Sequence, residues 1–331
     1  MNSETPVHPN LKLLSHSSDS LLDKCPRKYF RYKLSNLTWQ NELRSVSRHE
    51  ELSNLSLPDY HLAFGSTVGI GTQRLLVDND YNRAVIDMLL AWEANLEDDS
   101  GEKDKKTFYF ALHALDTFST LRNTALGNYQ IATFNSKPAI ELGFTIDCGN
   151  GFSYRGFLDA LLINTKLGVL VPYEGKTTKS RNIHEAMYKN SGQALGYSLI
   201  VDHIARSLGL EVQSSFTVLY SVYKSTAMEW ELLPFEKTYT DRANWIRNLM
   251  IRISQIETFG ATNYFPMHGW ACYDFFRPCD YFGLCDSGND LILEMATEKK
   301  DDPSLYQFHF SLEDILQTQL ANVTEELQGN G

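Results

Sequence analysis

Two acidic residues and a lysine stand where predicted strands could bring them together. Asp159 lies late in a strand predicted over residues 152–163, and Glu174 and Lys176 end a strand predicted over residues 169–177. Because strand side chains alternate between faces, Glu174 and Lys176 project to the same face. Asp159 joins them only if a bend or bulge brings the end of its strand beside the end of the next.

Metal-assisted hydrolysis is the chemistry that this trio suits. The two carboxylates, with the carbonyl of Gly175, supply the oxygen ligands that Mg²⁺ or Mn²⁺ prefers. The cation would polarise a phosphate ester and acidify a bound water, while Lys176 would orient that water or stabilise charge at phosphorus. The alternative is a surface Glu–Lys pair beside a strand, with Asp159 in a turn. The apolar residues VLVPY before Glu174 favour the first interpretation.

A predicted helix over residues 183–208 adds two polar side chains to this region. Gln193 and Tyr197 are spaced i, i+4 and therefore share one helix face. If that face meets the strand ends, the two side chains could bind a phosphate or a base. Taken alone, the spacing equally fits a half-buried polar pair without a functional role.

Basic residues cluster in two places, although the whole chain carries a formal net charge of −11. One run, Lys179, Arg181 and Lys189, follows the strand predicted over residues 169–177. The other, which includes Arg27 and Lys28, lies near the N-terminus and is interleaved with aromatic residues. Basic side chains neutralise phosphates, and aromatic rings stack on unpaired bases. The N-terminal aromatics are more typical of a core. The basic run after the strand predicted over residues 169–177 is therefore the better candidate for contact with DNA.

Four of the five cysteines have the number and spacing of a metal centre. Cys272, Cys279 and Cys285 fall in ACYDFFRPCDYFGLC, and Cys25 lies far upstream in CPRKY. Four thiolates suit an iron–sulfur cluster or tetrahedral zinc. The alternative is a set of buried thiols near an aromatic patch. Cys148, beside a turn, is interpreted as structural.

The segments that position these residues alternate between helical and strand patterns. Helices are predicted after Ser17 or Ser18 through Tyr29 and over residues 64–76, 81–96, 107–127, 183–208 and 239–259; strands are predicted over residues 139–147, 152–163, 169–177, 214–224 and 228–233. This order predicts an α/β fold of the α+β type, with a central mixed sheet flanked by helices. Leu312, Ile315, Leu316 and Leu320 indicate a surface helix in the acidic tail.

We divide the chain into a helical region (1–135), a core (136–235) and a C-terminal part (236–331), which together form one composite domain. The C-terminal part holds a helix, the cysteine-rich segment and the tail. The polar N-terminus does not resemble a secretory signal, and no stretch approaches the ~18–20 apolar residues of a membrane span. An intracellular, cytoplasmic protein without a membrane partner is therefore expected.

These motifs follow one another as they do in the PD-(D/E)XK nuclease superfamily. The chain resembles its RecB-like branch, which includes AddB-type and CRISPR-associated exonucleases. GFLD (156–159), EGK (174–176), Q-x-x-x-Y (193–197) and the opening LSHSSDSLLDKCPRKYFRYKL carry the resemblance, in ordered pieces over residues 13–285. It implies a restriction-endonuclease-like αβββαβ core, with an N-terminal helical insertion and a C-terminal cysteine-rich segment.

The resemblance also implies a role for each matched residue. Asp159 and Glu174 would bind Mg²⁺ or Mn²⁺, and Lys176 would be the catalytic lysine. Gln193 and Tyr197 would support DNA binding or cleavage. In addition, Glu141 in the first strand matches an acidic position of the family and is a further metal-ligand candidate.

In the same branch, one N-terminal and three C-terminal cysteines hold a 4Fe–4S cluster. The resemblance therefore implies such a cluster on Cys25, Cys272, Cys279 and Cys285. The first C-terminal gap here is six residues, whereas the family usually has two, so zinc remains the alternative.

One departure concerns a histidine that usually ligates metal in this branch, in the motif G-x-x-x-H. Here FGSTVG puts Gly69 at that position, with His61 nearby but out of register.

The first hypothesis is an exonuclease acting on DNA ends or single strands, with a recombination, repair or replication protein as partner. The second is a catalytically weakened DNA-binding or complex-building protein. The third is a redox or metal-sensing module built on the cysteines.

Overall fold

A computed structural model gives the structure of the chain for residues 7, 9–34, 60–92, 102–134, 136–208, 213–214, 217–274, 277–279, 281, 285 and 308–318. The chain divides into two compact units. The central unit contains Ser56–Leu142 and Phe157–Arg242; the terminal unit contains Met1–Leu55, Gly143–Gly156 and Ala243–Gly331. The three-part division drawn from the sequence follows chain order and stays a prediction.

Helices and strands follow one another in blocks along the described chain. The helices are α1 (His16–Lys24), α2 (Pro26–Leu34), α3 (Tyr60–Val77), α4 (Tyr81–Trp92), α5 (Phe108–Asn123), α6 (Glu185–Lys189), α7 (Gly192–Leu208) and α8 (Tyr239–Ala261). The strands are β1 (Leu13–Ser15), β2 (Tyr129–Ile131), β3 (Thr133–Phe134), β4 (Lys137–Pro138), β5 (Ile140–Gly149), β6 (Phe152–Asn164), β7 (Val169–Thr178), β8 (Gln213–Ser214), β9 (Thr217–Lys224), β10 (Glu229–Glu236), β11 (Tyr273–Asp274), β12 (Arg277–Pro278) and β13 (Phe308–Ser311).

The strands of the central unit pair in both directions. β6 and β7 run antiparallel, β7 and β9 run parallel, and β9 and β10 form an antiparallel hairpin. The parallel step is possible because the chain between β7 and β9 contains α6 and α7, which cross back over the sheet. The predicted mixed sheet is thus confirmed.

Apolar clusters cover both faces of this sheet. Leu219 and Tyr223 of β9 pack in a cluster with residues of α3, α4 and α5. Val218 and Tyr220 alternate with them and pack against Ala194 of α7 on the other face. Helices therefore flank the sheet on both sides, as the fold prediction required. Among the described helices, none is long and apolar enough to cross a membrane.

The first helical segment differs from its prediction. Ser15 caps α1, and its side chain and Ser18 exchange hydrogen bonds with each other's backbone N–H. α1 ends at Lys24 because Pro26 confines Cys25 to extended backbone, and α2 begins at the proline. The single helix that the sequence predicted through this segment was wrong, because the effect of the proline on its neighbour was overlooked.

The helix predicted over residues 183–208 is also two helices. The Asn190 N–H donates to the Ala186 carbonyl at 3.1 Å and closes α6. Ser191 then caps α7, since its Oγ accepts the Gln193 N–H at 3.2 Å. The serine side chain competes with helical backbone hydrogen bonding and so favours a new N-terminus.

Four short strands of the terminal unit, β1, β11, β12 and β13, were not predicted from the sequence. β13 pairs in parallel with β5, with Phe308 opposite Phe144. Residues 312–318 are helical, with Leu312 and Ile315 buried and Glu313, Asp314 and Gln317 exposed, which agrees with the predicted surface helix. Leu320 and the rest of the tail lie outside the described residues. A four-residue strand carries too little alternation to be predicted from sequence.

Gly156 of β6 is a position where a side chain would disturb packing. A Cβ there would overlap the ring of Phe144, which is fully buried. We expect Gly156→Ala to lower the free energy of unfolding by about 1–3 kcal/mol in urea titrations, because the core has no room for it. Gly269→Ala is the control, since a Cβ there meets no atom within 4 Å. Equal losses in the two variants would contradict this prediction.

Candidate active site

Asp159 and Glu174 lie where the ladder between β6 and β7 stops. The last paired residues are Ala160 and Tyr173, so Asp159 and Glu174 are the next positions along the two strands. Here the Gly175 N–H donates to Asp159 Oδ2 at 2.9 Å. The carboxylate therefore links the strands where backbone pairing ends. The antiparallel register, continued by one residue, puts Asp159 opposite Glu174, so the two residues meet without the bend or bulge that the prediction required.

Glu174 is the most enclosed carboxylate of the site. Its side chain accepts hydrogen bonds at Oε1 from Lys176 Nζ at 2.5 Å and from Gln193 Nε2 at 2.8 Å. Its Oε2 is buried and has no hydrogen-bond partner among the described residues. A buried carboxylate oxygen without a donor is costly, so this atom is suited to bind a cation.

Electrostatics at the site favour an added positive charge. Burial, followed by the charge of Asp159, raises the pKa of Glu174 to about 8. Burial likewise raises the pKa of Asp159 to about 6, against the hydrogen bond from Gly175 and the charge of Lys176. Burial lowers the pKa of Lys176, but Glu174 more than offsets it, so the net shift is upward and the ammonium persists at neutral pH.

A chain of hydrogen bonds fixes Glu174 to α7. Gln193 Nε2 lies 2.7 Å from the Tyr197 hydroxyl as well as bonding to Glu174, and that hydroxyl donates to the Phe157 carbonyl. Phe157 is two residues before Asp159 in β6. The shared helix face predicted from the i, i+4 spacing thus brings both α7 side chains to the carboxylates.

Glu141 stands apart from this group. Its side chain is exposed and accepts a hydrogen bond from Gln73 Nε2 at 2.6 Å. Its charge contributes to the raised pKa of Asp159, so it lies within electrostatic reach. The structure therefore brings together the five predicted catalytic residues and Gly175, and leaves Glu141 at the margin.

The donor set fits a hard divalent cation. Within the part of the chain that the structure describes, no group of three or more His, Cys, Asp or Glu side chains is arranged to hold a metal ion. Asp159 and Glu174 nevertheless supply two carboxylates, one of them with an unpartnered oxygen. Mg²⁺ usually keeps several waters and takes one or two carboxylates, so this pair suffices.

Sequence reasoning missed Tyr220 and Asp104. Tyr220 pairs with Glu174 across β7 and β9 and is buried beside it. Asp104 accepts a hydrogen bond from the Tyr60 hydroxyl at 2.9 Å and lies 3.6 Å from Lys179 Nζ. Both positions depend on strand register or loop path, for which the sequence contains no local signal.

The predicted DNA contacts have different surroundings. Lys179, Arg181 and Lys189 are exposed, whereas Lys28 is half-buried. Arg27 is buried, and its guanidinium donates to carbonyls in the segment that carries the cysteines. The basic residues after β7 are therefore more accessible to DNA than those near the N-terminus. Arg27 instead makes packing contacts inside the terminal unit.

Four cysteines of the terminal unit lie in one neighbourhood. The His268 N–H donates to Cys25 Sγ at 3.5 Å, and the Cys272 thiol lies 3.9 Å from the His268 carbonyl. The Cys279 N–H donates to the Cys272 carbonyl at 2.8 Å. Burial raises the pKa of Cys285, and the other three thiols contribute to the shift.

Cys148 has no part in this neighbourhood. Its thiol donates to the Ile146 carbonyl at 3.5 Å, and burial raises its pKa to about 12. A thiol with so high a pKa is mostly protonated and unreactive at neutral pH. These surroundings agree with the structural role expected for it.

A family model places these residues in a known context. The model of the PD-(D/E)XK nuclease superfamily matches residues 13–286, which include the two carboxylates, the lysine and the α7 pair. The chain belongs to this superfamily. PD-(D/E)XK nucleases usually use Mg²⁺ or Mn²⁺, which agrees with the donor set described above.

Other comparisons are more distant. A crystal structure of a candidate exonuclease from Eubacterium rectale is similar to this PD-(D/E)XK protein, with 10% sequence identity and a TM-score of 0.46. The likeness covers 92% of this chain and 97% of that one. A comparison with curated proteins finds no match.

Removing one charge from the carboxylate pair should stabilise the metal-free protein. The raised pKa of Asp159, about 6, means that ionisation costs folding stability as the pH rises from about 4 to about 6. An asparagine side chain carries no charge and so avoids this cost. Its amide oxygen can still accept the hydrogen bond from the Gly175 N–H. We expect Asp159→Asn to raise the free energy of unfolding in EDTA at pH 8 by about 1–2 kcal/mol.

Urea titration in EDTA and in Mg²⁺ measures this effect. Added Mg²⁺ should stabilise the wild type by ligand binding and leave Asp159→Asn nearly unchanged. A variant that is less stable than the wild type in EDTA at pH 8 would contradict the account of the carboxylate pair.

Proposed function

We propose that this PD-(D/E)XK protein is a Mg²⁺- or Mn²⁺-dependent DNA nuclease of the RecB-like type. In this proposal it acts as an exonuclease on DNA ends or single strands in recombination, repair or replication. The observation that carries it is the contact group of Asp159, Glu174 and Lys176, in which one buried carboxylate oxygen has no donor among the described residues. Membership of the superfamily supports phosphodiester hydrolysis.

Each residue of the site has a distinct task in this function. Asp159 and Glu174 would hold the cation, which when bound polarises the scissile phosphate and acidifies water. Lys176 is partly exposed, unlike its partner Glu174, so its ammonium can reach a phosphate and stabilise developing negative charge. Gln193 and Tyr197 would keep Glu174 in one orientation through their hydrogen bonds.

The exposed basic run after β7 is the proposed path of the DNA backbone. Lys179, Arg181 and Lys189 follow the catalytic strand and are open to solvent. Lys28 and Arg27 are secondary candidates because the terminal unit encloses them more. Such contacts would act on phosphates without reading sequence, and their effect would fall with salt.

We also propose a metal centre on Cys25, Cys272, Cys279 and Cys285, as a 4Fe–4S cluster with zinc as the alternative. The number and order of the cysteines support it, and the other three thiols contribute to the raised pKa of Cys285, although among the described residues the four thiols do not form a ready metal-holding group. Four thiolate bonds would join the start of α2 to the C-terminal segment and stabilise the terminal unit.

The cysteine proposal can be tested by metal content after anaerobic purification. We expect Cys25→Ser to lose most bound iron or zinc and to lower the unfolding temperature by several degrees, because a structural centre contributes folding energy. Cys148→Ser is the matched control and should keep the metal. Equal metal content in wild type and Cys25→Ser, by elemental analysis and visible absorbance, would reject the centre.

A second candidate function is a catalytically weakened DNA-binding or complex-building protein. Gly69 favours it, because it stands where the resembling nucleases have a metal-ligating histidine. A recombination, repair or replication partner belongs to the first proposal and rests on the same resemblance, and we propose a cytoplasmic location with it.

A nuclease assay separates the two functions. We expect the wild type to cleave end-labelled single- or double-stranded DNA in Mg²⁺ or Mn²⁺ but not in EDTA. Asp159→Ala and Lys176→Ala should cleave at least about 100-fold more slowly, whereas Lys103→Ala, an exposed lysine outside the site, should not. A folded, metal-loaded wild type that binds DNA without cutting it would favour the second function.

A further inference from the structure

Glu141 has a backbone conformation that residues with a side chain rarely adopt. Its φ is 49°, in the left-handed region, although the residue belongs to strand β5. Glycine takes this conformation freely, and asparagine and aspartate tolerate it, whereas a longer L side chain adopts it only at a cost in free energy. Strained backbone of this kind is concentrated at functional sites, where the surrounding structure holds it in place. The conformation of Glu141 therefore calls for a reason beyond the pairing of β5.

The strained residue lies level with Asp159 in the sheet. β5 and β6 are neighbours joined by a two-residue turn, so the two strands run antiparallel. Where they begin to separate, the Leu161 N–H donates to the Ala139 carbonyl at 2.9 Å. Two residues further along β5 is Glu141, and two residues back along β6 is Asp159, so the two carboxylates reach the same level. The charge of Glu141 accordingly contributes to the raised pKa of Asp159.

One side chain of α3 holds this carboxylate. Gln73 is half-buried, and its Nε2 donates to Glu141 Oε1 at 2.6 Å. A hydrogen bond to a carboxylate is charge-assisted and stronger than one between neutral groups. Leu75 and Leu76, which follow Gln73 in the helix, are buried in the core, so the donor stands on a fixed element. The contact therefore sets the direction of a carboxylate that is otherwise exposed to water.

Glu141 does not join Asp159 and Glu174 as a direct ligand to one cation. In the described parts of the chain, no three such side chains are arranged around a single ion. A carboxylate further out can instead accept a hydrogen bond from a water on the cation. Mg²⁺ keeps several of its waters in protein sites, so such a water is available. Groups that orient the ligands of a metal from outside change its affinity by roughly 10–100-fold.

We propose that Gln73 is a positioning residue of the active site, which holds Glu141 on the water shell of the cation bound by Asp159 and Glu174. The left-handed backbone of Glu141 aims its side chain at α3, and the Gln73 amide keeps it there. An ordinary surface pair of glutamine and glutamate would need no strained residue. This inference rests on the proposed nuclease function and deepens it, because Gln73 would act on cation affinity through Glu141 without touching the cation.

Mn²⁺ binding to the full chain tests the proposal without requiring catalysis. Electron paramagnetic resonance counts the free Mn²⁺ in titrations at pH 8. We expect Glu141→Gln to weaken binding about tenfold, because a neutral amide holds a cation-bound water less strongly. Gln73→Met keeps the length of the side chain but removes the donor, and it should cause most of the same loss.

The double variant shows whether the two residues act together. Gln73→Met combined with Glu141→Gln should bind Mn²⁺ no more weakly than Glu141→Gln alone, since Gln73 acts only through Glu141. Gln130→Met is the matched control: it replaces an exposed glutamine of β2 and should bind Mn²⁺ as the wild type does. If Gln73→Met fails to fold, Gln73→Asn decides, because its shorter side chain keeps the amide but draws it back from Glu141.

The outcomes separate this role from the proposed function. A purely structural Gln73 would lower the urea midpoint in EDTA while leaving Mn²⁺ affinity unchanged, and that result would overturn the positioning role. Losses that add up in the double variant would overturn it too. Mn²⁺ binding that disappears in Asp159→Asn but persists in Gln73→Met and Glu141→Gln would reject the role of Gln73 and keep the proposed cation site. A wild type that binds no Mn²⁺ would reject both.

Discussion

Asp159 and Glu174 repel each other in a place where little water can screen them. Glu174 is 1% exposed, and burial with the neighbouring charge raises its pKa to about 8. The surrounding contacts oppose this repulsion: the Gly175 N–H binds one carboxylate, and Lys176 and Gln193 bind the other. One ammonium offsets one of the two charges, and a divalent cation between the carboxylates would remove the remaining imbalance.

Strand β7 carries Glu174 and also packs against the helices of the central unit. Its side chains alternate, so Tyr173 packs in the cluster with α3 to α5, while Glu174 meets α7. The position of the trio and the support from α7 therefore both follow from one strand held between two helical layers.

Local periodicity accounts for what the sequence predicted. A period of two put Glu174 and Lys176 on one face, and the i, i+4 spacing put Gln193 and Tyr197 together. The approach of Asp159 to Glu174 could only be stated as a requirement, because register is set by tertiary pairing. The position of Tyr220 was missed for the same reason, whereas β13 was missed because four residues carry too little alternation. Breaks at Cys25 and Ser191 were predictable from their neighbours and were overlooked.

The proposed function requires a cation held between the two carboxylates. Crystals grown with Mn²⁺ and a non-cleavable oligonucleotide would reveal it by anomalous scattering. We predict a peak within about 2–2.5 Å of oxygens from both Asp159 and Glu174, with a phosphate oxygen nearby and Lys176 turned toward it. A fully occupied Mn²⁺ peak elsewhere, with both carboxylates free of metal, would contradict the central claim.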